Sequence, residues 1–233
     1  MDFTFINDTT ENDLKLVLNQ INLHKNGPVS QSMKDAGLNY RVNFGVSVVD
    51  LRKIAKQYAY NNTLAKLVWE KGWRETYILA TLIANPETIE IETLTKWMNE
   101  IPTTELSEQL GNNLIASVPY SSILKDLLNS GNNFMRIAAY KALSKQFLMK
   151  NFDNKDVFMK SLEFNLYDSA LFRRELAVSL GQASAFFIRY HNNLINYLLE
   201  KISYFQVKSN DFELTHQIVI TEIDFFCERD NSE

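Results

Sequence analysis

Apolar residues recur at intervals of three and four along nearly the whole chain, and little interrupts them. Only 7 Gly and 4 Pro occur among the 233 residues. An all-β protein of this length needs many tight turns, and these draw on Gly, Pro, Asn and Asp. A chain so poor in turn formers is expected to fold as long helices with short breaks. Hydrophobic residues make up 45% of it, an ordinary globular share, so wholesale disorder is not expected.

The breaks locate the helices. Leu14, Val17, Leu18 and Ile21 form a first stripe, which Gly27-Pro28 is expected to end. Ser47 reads as an N-cap, with Asp50 three residues on, where a carboxylate can reach back to a free N–H. Leu51, Ile54, Ala55 and Tyr58 line the helix behind it, and Asn61-Asn62 breaks that helix. Leu64, Leu67 and Val68 start the next, closed at Gly72, and a helix from Trp73 to about Ala84 stops before Asn85-Pro86. Helices are predicted over 89–101, 104–118, 120–130, 133–149 (long and amphipathic), 155–167 and 171–181. The stretch 187–205 is rich in aromatic and β-branched residues. Even so, Phe187, Tyr190, Leu194, Tyr197, Leu198 and Ile202 keep helical spacing, so helix is predicted rather than strand. A last helix carries Ile218, Ile223 and Phe226.

A repeat lies beneath this pattern. Phe134, Arg136 and Ala139 recur 38 residues later as Phe172, Arg174 and Ala177, and the break at Gly72-Trp73 resembles the one at Gly131. A period of about 40 residues with two helices in each is the mark of HEAT and armadillo arrays. Ala80, Ala138, Ala139 and Ala177 place small residues where such helices approach closely. The expected fold is therefore all-α, a HEAT-like or armadillo-type α-solenoid of antiparallel helix pairs. It is read as one repeat domain over 1–233, with 1–10 and 228–233 as flexible tails.

Several function classes are excluded. The polar, acidic N-terminus has no basic region followed by an apolar run, so it is not an ordinary secretory signal. No stretch approaches the roughly 18 apolar residues of a membrane span. These features predict a soluble cytoplasmic protein. The lone Cys227 cannot build an internal disulfide or a cysteine metal site. His24, His191 and His216 lie far apart and lack zinc-ligand spacing, so no metal is expected. Neither a Gly-rich phosphate loop nor a nucleophile elbow occurs, and no cofactor is expected. The net charge of −4 is unusual for a dedicated nucleic-acid binder, although it leaves room for a local basic face.

The stretch Gly45-Val-Ser-Val-Val-Asp-Leu-Arg-Lys-Ile-Ala-Lys56 resembles the "GV-x-x-x-x-LRK-x-AK" segment of the AlkD-like DNA alkylation repair family. Leu64 to Gly72, and then Glu75 to Pro86, resemble that family's next helix pair, and the order of elements agrees from about residue 20 to 205. The resemblance implies a HEAT-repeat array that holds duplex DNA on its concave face. It also implies a glycosylase that releases purines alkylated at N3 or N7. Such a cationic base is already a good leaving group. A carboxylate near the sugar stabilises the oxocarbenium-like transition state and places a water, aromatic rings favour the cation, and an arginine holds the phosphate.

Carried over residue by residue, the resemblance is partial. The family's "W-D-x-x-D" segment falls on Thr104-Glu-Leu-Ser-Glu108, so Glu108 stands where the catalytic aspartate is expected and Thr104 where a tryptophan is expected. The family arginine falls near Arg136, with Ile137 in the closer matching place. The second site tryptophan corresponds to Val178, and the arginine of an earlier "E-x-R" to Tyr77. Glu108 is the candidate catalytic residue, set against the plain reading of a surface glutamate on a Glu- and Gln-rich helix. Arg136, Lys141, Lys145, Arg173 and Arg174 are the candidate DNA-binding cations, Arg136 and Arg174 being expected on one side of the array as repeat equivalents. The competing reading for all five is a solvated, salt-bridged face, and for Arg52, Lys53 and Lys56 an ordinary polar face is the simpler one. Trp69, Trp73 and Trp97 read as packing residues rather than base-stacking platforms. Two functions follow: an AlkD-like binder of duplex DNA whose glycosylase activity is altered or lost, or a non-catalytic HEAT-repeat scaffold for a protein partner.

Overall fold

The computed structural model describes residues 8–172, 174–191, 196–197, 199–200 and 217–225, which form helices and short connections without a strand. They belong to two compact units, one ending at Leu114 and the other starting at Ile115. The first unit contains α1 (Asp8–Leu23), α2 (Gly27–Asp35), α3 (Val48–Ala55), α4 (Asn62–Trp69), α5 (Arg74–Ile83), α6 (Ile91–Asn99) and α7 (Thr104–Asn113). The second opens with a 3-10 turn (Ile115–Ser117). It continues with α8 (Ser121–Leu128), α9 (Asn133–Leu148), α10 (Lys155–Phe172), α11 (Arg174–Ile188) and a helical segment at 217–225.

Side-chain caps begin many of these helices, and each lies just before an apolar stripe. The Ser47 hydroxyl accepts from the Asp50 N–H at 3.1 Å and donates to the Asp50 carboxylate at 2.7 Å. The carboxylate thus reaches the cap's hydroxyl and not a free backbone N–H. Asn61 and Thr103 cap α4 and α7 by accepting from the N–H of Leu64 and of Leu106. Gly27-Pro28, expected to end the first helix, instead opens α2. Asn26 accepts from the Val29 N–H, and Pro28 sits in the first turn, where its missing N–H is no loss. Likewise α1 starts at Asp8, so 8–10 are helical and not part of a tail.

In the first unit α3, α5 and α7 pack in succession, with α4 against α5. Trp69 and Trp97 stack at 4.4 Å with a 6° interplanar angle, Tyr77 meets Trp69 edge-on, and the Trp69 indole N–H donates to Glu100 at 2.6 Å. Both tryptophans are buried, which agrees with the packing role read from their spacing. Gly45, with φ at +72°, lets the loop before α3 run against α2. A Cβ there would lie 2.2 Å from the Asn26 carbonyl oxygen and 2.7 Å from the Ser30 nitrogen.

In the second unit α9 packs along α11, with Ala138, Ala139 and Ala177 fully buried between neighbours. Phe147, Phe158 and Phe187 form the adjoining aromatic cluster. Buried residues lie all around α9, including Arg136 and Gln146, so it is a central helix and not an amphipathic surface one. Two predicted ends move. α10 continues past 167 to Phe172, and α11 continues through Gly181 to Ile188. Gly181 marks a helix crossing instead of a stop, since a Cβ there would lie 2.8 Å from Glu222 Cβ and 3.2 Å from Val219 Cα. Of the helix predicted over 187–205, 187–188 close α11 and 196–197 and 199–200 are helical, while Leu194, Leu198 and Ile202 lie outside the described residues. Among the described residues, no helix is long and apolar enough to cross a membrane.

Candidate nucleic-acid interface

Helix α7 carries two carboxylates one turn apart, Glu105 and Glu108, and residues at this spacing share a helix face. Their circumstances differ. Glu105 is held by Arg74, whose Nε–H and Nη2–H donate to its two oxygens at 2.9 and 2.6 Å, a bidentate pair. Arg74 also donates to the Val46 carbonyl and pairs with Glu75 at 3.3 Å. Glu75 in turn accepts the N–H groups of Phe44 and Val46. Arg74 is 1% and Glu75 0% exposed, so this is a buried ionic core that ties the loop before α3 to the start of α5. Burial alone would lower the pKa of Arg74, but the Glu105 and Glu75 carboxylates more than offset it and hold it above the ordinary arginine value.

Tyr40 completes the network. The Thr103 hydroxyl donates to the Tyr40 hydroxyl at 2.6 Å, and burial, followed by the Glu105 charge, raises the phenol's pKa well above its usual value. Glu105, matching the first acid of the family segment, is therefore a structural partner. Glu108 stands half-buried one turn further on, with Thr104 half-buried at the position matched to the tryptophan. Sequence reasoning missed Arg74, Glu105 and Tyr40. The available signal was a pair of adjacent charges inside the first turn of an otherwise apolar helix.

The cations expected to hold DNA all fall in the second unit, and they are not alike. Arg136 is only 3% exposed. Its Nε–H donates to the Ser130 carbonyl, and its guanidinium lies 5.0 Å from the centre of the Phe164 ring. Buried in this way, it braces the turn before α9 and is not presented to a phosphate. Its repeat equivalent Arg174 is exposed at the start of α11, so the expected equivalence of the two arginines fails, while that of Ala139 and Ala177 holds. Arg136 lies inside α9 after the Asn132 cap, whereas Arg174 is the first residue of α11. Lys141 is half-buried and donates to Gln182 at 2.7 Å, and Gln182 donates to Glu222 of the segment at 217–225. Lys145 is half-buried on the same helix as Lys141, and Arg173 lies outside the described residues. Val178 is half-buried on α11. The described residues contain no group of three or more His, Cys, Asp or Glu side chains placed to hold a metal ion.

The family model for DNA alkylation repair enzymes matches residues 17–174, well over half the chain, and the protein belongs to that family. Its fold is shared by a solved structure from a family related to the HEAT-like repeat DNA glycosylases, described as having affinity for branched DNA. The two agree with a TM-score of 0.67 at 14% identity over 82% of each chain. No curated protein matches the sequence significantly.

Proposed function

We propose that the protein binds DNA, with Lys141, Lys145 and Arg174 among its phosphate contacts, and that its excision of alkylated purines is weak or lost. Arg173, beside Arg174 in sequence, belongs to the same proposal. The reading is carried by one contrast: the family frame is kept over residues 17–174, while the resemblance implies two tryptophans and an arginine where this sequence has Thr104, Val178 and Tyr77. Without those rings a cationic base loses its stacking surfaces. Glu108 keeps the carboxylate but extends it by a methylene, and a displacement of about 1 Å costs on the order of a hundredfold in rate. Arg136, buried beneath Phe164, is not among the proposed contacts. Branched DNA is the second ligand of interest, because the related structure is described as binding it.

The test is an electrophoretic shift on a duplex and on a four-way junction across a salt series. Retention that weakens steeply with salt is expected, because each phosphate contact releases condensed counterions. Absence of retention on either DNA at low salt would reject the proposal and favour a scaffold for a protein partner.

A further inference from the structure

The loop between α2 and α3 bounds a cavity of about 440 Å³ that no candidate residue from the sequence touches. Lys34, in the last turn of α2, and Arg41, on the loop, line it together with Asn39 and Asn43. No Asp or Glu is among the lining residues. Both cations are exposed, and neither has a carboxylate partner among the described residues. The lining thus carries two cations and no acid, in a chain whose net charge is −4.

The loop is also held firmly. Its Val42 carbonyl accepts the Arg74 N–H at 2.9 Å, Phe44 and Val46 donate to Glu75, and the Ser30 hydroxyl donates to the Asn43 carbonyl at 2.8 Å. Tyr40 turns inward onto Thr103, while the neighbouring Arg41 stays exposed. A guanidinium on an anchored loop and an ammonium on a helix line the same cavity and offer an anion two cationic donors, and the guanidinium fork matches two phosphate oxygens. The volume lies in the range of small-ligand pockets, about 300–1,000 Å³.

We propose that this cavity, in the first unit, binds a backbone phosphate of DNA through Lys34 and Arg41. The inference rests on the DNA-binding reading above. It is tested with the full chain by measuring duplex affinity from about 50 to 200 mM salt for wild type, Lys34→Ala/Arg41→Ala and the charge-keeping Lys34→Arg/Arg41→Lys. Two lost contacts reduce the log–log salt slope by about 1.8, so over this range wild type loses about twelvefold more affinity than the alanine variant. The charge-keeping variant should retain the wild-type slope. An alanine variant with the wild-type slope overturns the inference and leaves DNA binding intact, whereas a wild type that binds no duplex overturns both. An unchanged slope together with protection by millimolar inorganic phosphate would assign the cavity to free phosphate, and that outcome also overturns it.

Discussion

Replacing Arg74 with methionine removes the cation around which Glu75 and Glu105 are packed. Glu105, at 19% side-chain exposure, can turn partly to water, but Glu75 at 0% cannot. Glu75 keeps the N–H groups of Phe44 and Val46 and is left as a buried charge without its counter-ion. Breaking a buried pair in this way costs about 3–5 kcal/mol, and Glu105's escape to solvent places the expected loss near the lower end. All three tryptophans, Trp69, Trp73 and Trp97, lie in the first unit, so their fluorescence reports its unfolding separately from the second. With a urea dependence of about 2 kcal/mol per molar, a loss of about 3 kcal/mol moves the midpoint down by about 1.5 M. Arg74→Lys keeps the charge but cannot span both Glu105 oxygens and the Val46 carbonyl, so it should fall between the two. A midpoint within about 0.3 M of wild type for Arg74→Met would refute the view that this network fixes the loop.

Two further outcomes follow from local geometry. Gly45→Ala combines the left-handed backbone penalty of about 1–2 kcal/mol with backbone contacts at 2.2 and 2.7 Å. It should lower the fluorescence midpoint and raise hydrogen exchange at Val29 and Ser30, while Gly27→Ala, with nothing within 4 Å, should do neither; equal behaviour of the two would contradict this packing. The Asp50 carboxyl is held below its ordinary pKa of 3.8 by the hydrogen bond from Lys53 and then by that from Ser47. A lowered folded-state pKa stabilises above the ordinary value and is lost as pH falls through the folded one, so an NMR titration should place Asp50 below 3.8 and Lys53→Ala should raise it; a wild-type value at or above 3.8 would contradict the assignment.

The helical array was legible because its signal is redundant: every stripe repeats the same period, and Ser47 reads as a cap just before one of them, whereas the capping roles of Asn61 and Thr103 are seen only in the structure. Glycine and proline were ambiguous because one residue type serves opposite ends. Gly27-Pro28 opens a helix, Gly72 closes one, and Gly181 lets another helix cross. The candidate site was legible only as far as the family segment extends. That segment makes Glu108 a candidate by resemblance and carries no information on how Arg136 turns beneath Phe164. The Arg74–Glu105 pair joins residues 31 apart in sequence, and the cations of the α2–α3 cavity come from a helix end and a loop. Such groupings follow from tertiary contact, which a single sequence does not display.

The central claim is a DNA-holding frame whose excision chemistry is weak or gone. It is tested most directly by incubating the protein with a duplex that carries 7-methylguanine and following bound DNA and released base in one reaction. Salt-sensitive retention with little or no released base is the predicted result. Efficient release of the methylated purine, abolished by Glu108→Gln, would contradict it.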